Sequence, residues 1–250
     1  MSLRPDYSTK AYKYVQFRWE YAAEAVQAIF HTAGLTSASV VADIGAGTGK
    51  LSRHFLGRVR KVYAVEPDTE MRRMAEEIFY GCADCVVLDG TAEAIPLPDG
   101  IIDLITVAQA IHWFDPIQTR FEFMRVMKPS GWLALVRNYG IDSSLNQAIE
   151  SLMHPEWFQP AVKQTDLSLE ELALVYFGGL NFAQMAFPFY FQQDWISFLG
   201  ALTTTPGTLD EDHPDFPAFA SAAQEVFERF SQGGWMDVHG ETELVIGRPE

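Results

Sequence analysis

Apolar side chains recur along the chain with two alternating periods. Over residues 14–31, Val15, Trp19, Ala22, Val26 and Phe30 fall three and four positions apart, the spacing of one amphipathic helix that Gly34 would end. Val40-Val41-Ala42-Asp43-Ile44 follows, a short β-branched run closed by glycines, as expected of a buried strand. The alternation then continues. Residues 50–56 suit a helix with Leu51 and Phe55 inward, and residues 62–65 a second strand. Residues 68–80 place Met71, Met74, Ala75, Ile78 and Phe79 on one helical face, with Asp68 as N-cap. Strands are expected at 85–88 and 103–108, and a helix at 116–127 with Pro116 in its first turn. Lys128-Pro129-Ser130-Gly131 reads as a turn, leading to a fifth strand at 132–136.

Strands alternating with helices imply right-handed crossovers and a mostly parallel sheet covered on both faces. Past Asn138 the rhythm changes to aromatic-rich helical stretches and loops. This region predicts a helical cap, a sixth strand near 184–191 and a last one at 243–247. The expected architecture is therefore α/β: a Rossmann-like, seven-stranded, mostly parallel sheet with helices on both faces and a helical cap. Ligands of such sheets sit at the carboxyl ends of the strands, so unusual residues there carry the functional information.

Composition narrows the partners. Across 250 residues the hydrophobic share is 48% and the charged share 20%, an ordinary globular balance. A formal net charge of -15 disfavours nucleic acid and anionic membranes, which need surplus Lys and Arg. The longest apolar stretch, residues 101–114, is interrupted by Asp103, Gln109 and His112, so no membrane span is expected. The first residues lack the apolar core of a signal peptide, and two cysteines make no disulfide framework. Cys82-x-x-Cys85 reads as two ordinary thiols, and the acidic stretch around Asp210-Glu211-Asp212 with His213 and Asp215 as a solvated loop, so no metal site is expected. The expectation is a cytoplasmic protein, monomer or homodimer, whose partner is a small molecule.

Chemistry concentrates at strand ends. Asp43-Ile44-Gly45-Ala46-Gly47-Thr48-Gly49 joins the first strand to the next helix, and its glycines let backbone approach a ligand closely. A phosphate P-loop would need Ser or Thr after Gly49-Lys50, where Leu51 stands, and Gly where Ile44 stands. A dinucleotide fingerprint would need glycine at Lys50. Glu66 ends the second strand, where a carboxylate can accept hydrogen bonds from both hydroxyls of a ribose. Gly90-Thr91-Ala92-Glu93 follows the third strand, and Gln109, His112, Trp113 and Phe114 follow the fourth.

This order of motifs resembles the class I S-adenosylmethionine (SAM)-dependent methyltransferases, specifically those with the type 11 methyltransferase domain. The likeness spans residues 38–138 and rests on Asp43 to Gly49, Glu66, Gly90 to Pro96, and Arg125-Val126-Met127-Lys128-Pro129-Ser130-Gly131. It implies one methyltransferase domain over residues 1–250, with a SAM-binding core at 36–138 and substrate cap elements at 1–35 and 139–240. It implies SAM as cofactor and S-adenosylhomocysteine as product. Gly45, Ala46 and Gly47 would line the methionine and ribose part, Asp43 would meet the amino group directly or through water, Glu66 would hold the ribose, and Pro67 would pack near the adenine. Ala92 would offer its N–H to the ring beside Thr91 and Glu93, and Gln109 would approach the methionine end. Thr91 stands where relatives often carry Asp, so only a hydroxyl is available for the adenine amino group.

The Gln109-x-x-His112-Trp113-Phe114 segment is similar to the trans-aconitate methyltransferase-like branch, where an N-terminal cluster such as Tyr14, Phe17, Arg18 and Trp19 covers the cofactor. Arg18, Trp19 and Trp113 are the expected substrate contacts, and His112 the candidate catalytic base. Without an acceptor clamp of the N-P-P-Y type, O- or C-methylation of a small molecule, such as a carboxylate, is favoured over N-methylation of DNA or protein glutamine. Two other readings stay open: an NAD-linked oxidoreductase, which Lys50 opposes, and a SAM-binding protein without catalysis.

Overall fold

The computed structural model describes residues 10–153, 157–158 and 167–250. Parts of the expected cap, residues 1–9, 154–156 and 159–166, lie outside the described residues. In chain order the elements are α1 (Ala11–Phe17), α2 (Ala23–Ala33), β1 (Val40–Ile44), β2 (Lys61–Val65), α3 (Thr69–Ile78), β3 (Cys85–Leu88), β4 (Ile102–Ala108), α4 (Pro116–Val126) and β5 (Met127–Gly140). They continue as α5 (Ser143–Leu152), α6 (Leu169–Phe177), β6 (Phe182–Gln193), α7 (Trp195–Thr203), α8 (Phe216–Phe230), β7 (Ser231–Gln232) and β8 (Trp235–Gly247).

The strands form one sheet ordered β3-β2-β1-β4-β5-β8-β6, with β7 as a two-residue arm paired to β8. β1 to β5 run parallel, and β8 is antiparallel to both β5 and β6. The sheet path thus has the seven strands expected, and strand order reverses between β1 and β4, the switch point that opens a crevice. Each short strand follows from its sequence. In β1 all five residues are buried, as a strand covered on both faces requires. Asp68 caps α3 by accepting from the N–H groups of Glu70 and Met71, and Asp115 caps α4 through Ile117 and Gln118.

One face of the sheet is covered by α4 and α6, which bring Phe123, Tyr176 and Phe177 onto Ile105, Val107 and Leu135. The other is covered by α2 and the 3₁₀ turn Ser52–Phe55, with Ile29 and Phe55 packed on Val41, Val62 and Leu104. A separate cluster builds the cap: Leu145 of α5, Phe198 and Leu202 of α7, and Phe219 and Phe227 of α8. Not all of the segment expected as cap belongs to it, since α6 joins the sheet cover and β6 with most of β8 extends the sheet.

Three local expectations are corrected. The single N-terminal helix is two, because Arg18 turns extended (ψ 139°) and the chain re-enters helix only after Ala22. The cause is tertiary: the Lys50 ammonium donates to the Arg18 carbonyl (2.7 Å) and to Glu20 (2.7 Å), pulling residues 18–20 down onto the glycine turn. Within residues 50–56 only a short 3₁₀ turn, Ser52–Phe55, forms instead of an α-helix. The fifth strand is longer than residues 132–136, because its far half pairs with β8 as far as Gly140. The Lys128 to Gly131 turn survives within it as a register break, Ile102 facing Met127 and Leu104 facing Trp132.

Phe123 lies 1% exposed between α4 and the sheet, its ring 5.7 Å from that of Tyr176. Phe123→Ala should lower the unfolding free energy by about 3–5 kcal/mol, measured by chemical denaturation. A loss below about 1 kcal/mol would mean that α4 is not seated as described.

Candidate active site

The glycine turn leaves β1 and folds back onto β2: the N–H groups of Gly45 and Ala46 both donate to the Val65 carbonyl, at 2.9 and 3.1 Å. Gly45 and Gly47 adopt φ of 67° and 58°, a left-handed region that disfavours side chains. A Cβ on Gly45 would also sit 2.7 Å from Ala110 Cβ, whereas one on Gly47 would meet nothing within 4 Å. Gly47 therefore serves conformation and leaves open space beside the turn.

That space is a cavity of about 440 Å³ at the switch point. Gly45, Gly47, Glu66, Pro67, Thr91, Ala92, Glu93 and Gln109 line it, as the sequence led one to expect, and so does Trp113. Tyr14, Met71, Ala110 and Phe114 complete its apolar wall. Tyr14 belongs to the N-terminal cluster expected over the cofactor, whereas Met71 has only its helical period to mark it.

Glu66 is the dominant polar group. Its carboxylate accepts from Gly47 N–H at 2.8 Å and from Asp68 N–H at 2.9 Å, so it spans the turns after β1 and β2. Burial pushes its carboxyl up to about 7, with the two backbone hydrogen bonds opposing the shift.

Two residues expected at the cofactor are set back from the cavity lining. Asp43 does not line the cavity: it is 1% exposed, and its carboxylate accepts from Ser52 Oγ (2.6 Å) and Thr106 Oγ1 (2.8 Å). It braces β1 against β4 and the 3₁₀ turn, and burial raises its carboxyl to about 6. Ala46 faces away as well, packing with Ala64, Ala75 and Phe79.

A second cavity, of about 560 Å³, lies on the cap side. It shares Tyr14, Gln109 and Trp113 with the first, and adds Arg18, Trp19 and His112, the other residues expected to meet substrate. Trp19 stands edge-on to Phe189 and Phe191, with ring centroids 5.8 and 5.7 Å away. The His112 ring lies 4.5 Å from Trp113. Sequence reasoning missed Asn138, Asn146, Ile149, Gln193, Phe198 and Leu202 of this wall, because they come from four elements with no shared motif. Gln109 between the cavities has φ of 59°, the one non-glycine residue with positive φ among the described residues. Its N–H donates to the Val136 carbonyl and its side-chain amide to the Asn138 carbonyl, which hold it in that strained state.

Residues 42–135 match the family model described as a methyltransferase domain. The match thus places a methyltransferase domain in residues 42–135. An uncharacterised methyltransferase of Mycobacterium tuberculosis is 41% identical over 125 residues, covering 50% of this chain and 49% of that one. An uncharacterised methyltransferase of Schizosaccharomyces pombe is 32% identical over 133 residues, covering 53% and 52%. The matched part thus spans about half the length of these curated relatives. The crystal structure of the YcgJ protein of Bacillus subtilis superposes with a TM-score of 0.59 at 22% identity, covering 92% of this chain and 100% of that one, and shows the shared fold.

A methyltransferase domain of this class implies SAM as cofactor, and the branch expected around His112 is not singled out by these relatives. The oxidoreductase reading is not favoured. The cavity fits SAM: a glycine cradle with open space beside it faces a nearly buried carboxylate at the end of β2. Among the described residues no group of three or more His, Cys, Asp or Glu is placed to hold a metal, and no helix is long and apolar enough to cross a membrane.

The Glu66 shift has a sign that can be checked. Its folded value, about 7, lies above the ordinary 4.5, so between these the native state holds the extra proton and stability falls as pH rises. The unfolding free energy of the wild type relative to Glu66→Gln should therefore decline from pH 5 to pH 8, by up to roughly 3 kcal/mol. A difference that stays constant with pH would show that Glu66 ionises normally in the folded chain.

Proposed function

We propose that the protein is a SAM-dependent methyltransferase acting on a small molecule held in the cap-side cavity. The observation that carries this reading is the pair of adjacent cavities with Tyr14, Gln109 and Trp113 in both walls. The first has the fittings for SAM. The second is bounded by the aromatic cap, and its volume suits a metabolite.

In this reading Glu66 accepts from the ribose hydroxyls, and its hydrogen bonds to Gly47 and Asp68 hold the carboxylate in place. Gly45 and Gly47 give room for the cofactor's close approach, Pro67, Thr91 and Ala92 border the adenine, and Glu93 stands beside them. Bound SAM supplies an electrophilic methyl group on a sulfonium. The protein's task is then to position the acceptor and keep water out, effects that supply about 7–11 kcal/mol in well-oriented reactions. Gln109 and Trp113 form the partition along which the two molecules meet. The His112 imidazole faces the cap-side cavity, where it takes the proton from a hydroxyl acceptor; a carboxylate acceptor needs no such step. O- or C-methylation is favoured, since no N-P-P-Y-type clamp follows β4.

Glu66→Ala should weaken SAM binding about 10- to 100-fold, the loss of a charged hydrogen-bonding partner, while the protein stays folded. Gly47→Val should do the same by forcing a β-branched side chain into a left-handed backbone. Calorimetric titration with SAM checks both, and unchanged affinity in Glu66→Ala would remove the ribose assignment. Incubation with labelled SAM and a metabolite extract, followed by mass spectrometry, should yield a product heavier by one methyl group.

A further inference from the structure

Gln193 ends β6 and lines the cap-side cavity but not the cavity at the switch point. It is 5% exposed, and among the described residues its side-chain amide makes no hydrogen bond. Both amide atoms nevertheless keep accessible surface, which opens on the cavity that the residue lines. Two other glutamines of β6 are bonded although they are exposed: Gln184 Nε2 donates to Glu243 at 2.7 Å and Gln192 Nε2 to Asp237 at 2.8 Å.

The neighbouring amides of the cavity wall are engaged inside the protein. Asn138 Nδ2 donates to the Glu20 carbonyl, and its Oδ1 accepts from Thr242 Oγ1. Asn146 Nδ2 donates to the Gly140 carbonyl, and Gln109 Nε2 to the Asn138 carbonyl. A buried amide without a partner costs stability, and a ligand that bonds to it recovers that cost. Phe198 and Leu202 of α7 and Ile149 of α5 share the wall and supply no polar side chain.

We propose that Gln193 binds the methyl acceptor through a neutral group on that molecule, a hydroxyl or a carboxamide, which both donates and accepts a hydrogen bond. The inference rests on the methyltransferase reading and adds to it a residue that determines specificity. An amide carries a donor and an acceptor but no charge, so it matches a group of the same kind. An ion bonded only by an amide would lose hydration without gaining a countercharge. The bonded group lies beside α7, and the rest of the acceptor extends toward Gln109 and Trp113, which border the first cavity.

The test uses the full chain saturated with S-adenosylhomocysteine, as wild type and as Gln193→Met, an apolar replacement of similar size. Each is titrated with 3-phenylpropan-1-ol, with 3-phenylpropanamide and with the methyl ether of the alcohol, and its thermal midpoint is read. In the wild type the alcohol and the amide should bind about threefold to tenfold more tightly than the ether, which cannot donate. Gln193→Met should remove that advantage and leave the affinity for S-adenosylhomocysteine unchanged. It should also raise the thermal midpoint by about 2–4 °C, because an unbonded buried amide is gone. A residue that only packs the end of β6 would give the reverse, a lower midpoint and an unchanged preference. A midpoint that does not rise, a preference that survives Gln193→Met, or no saturable binding of the alcohol and the amide would overturn the assignment. If the wild type fails to bind S-adenosylhomocysteine, the methyltransferase reading itself falls, and this inference with it.

Discussion

The buried carboxylate of Asp43 is the constraint on which the site depends. It sits near the end of β1 and binds the hydroxyls of Thr106 on β4 and Ser52 beyond the glycine turn. A carboxylate removed from water is tolerable only when hydrogen-bonded, so the three segments must converge on it. That convergence fixes where the turn leaves the sheet, and with it the positions of Gly45 and Gly47. Glu66 completes the frame by tying the glycine turn to the start of α3. The two acidic residues therefore divide the work, one bracing the strands and the other facing the cavity.

The N-terminal segment links this frame to the cap. Lys50 holds residues 18 and 20, α1 packs against α7 and α3, and Tyr14 and Arg18 are thereby laid over the cavities. Lys10 fastens the other end of α1 by donating to the carbonyls of Thr205 and Thr208. The cap-side cavity is thus closed by contacts far apart in sequence, and its described lining, which holds Arg18, Lys50 and His112 and no Asp or Glu, differs in charge from the chain as a whole.

Much of the core was legible in the sequence because its signals are local. The β-branched run 40–44, the caps Asp68 and Asp115, and the glycine turn each state their structure within a few residues. The same turn, together with Glu66, pointed to the cavity at the switch point. What the sequence hid was set by partners elsewhere. The break after Phe17 needs Lys50, the full length of β5 needs β8, and the inward turn of Asp43 needs Thr106 and Ser52. The cap-side wall draws on α5, α7 and the ends of β5 and β6, so no single stretch could announce it.

The most direct test of the account is a crystal structure with S-adenosylhomocysteine bound. The expected complex has the ribose hydroxyls on the Glu66 carboxylate, the adenine beside Pro67 and Ala92, and the sulfur end toward Gln109 and the cap-side cavity. A ligand found elsewhere, or an adenosine that makes no contact with Glu66, would contradict it.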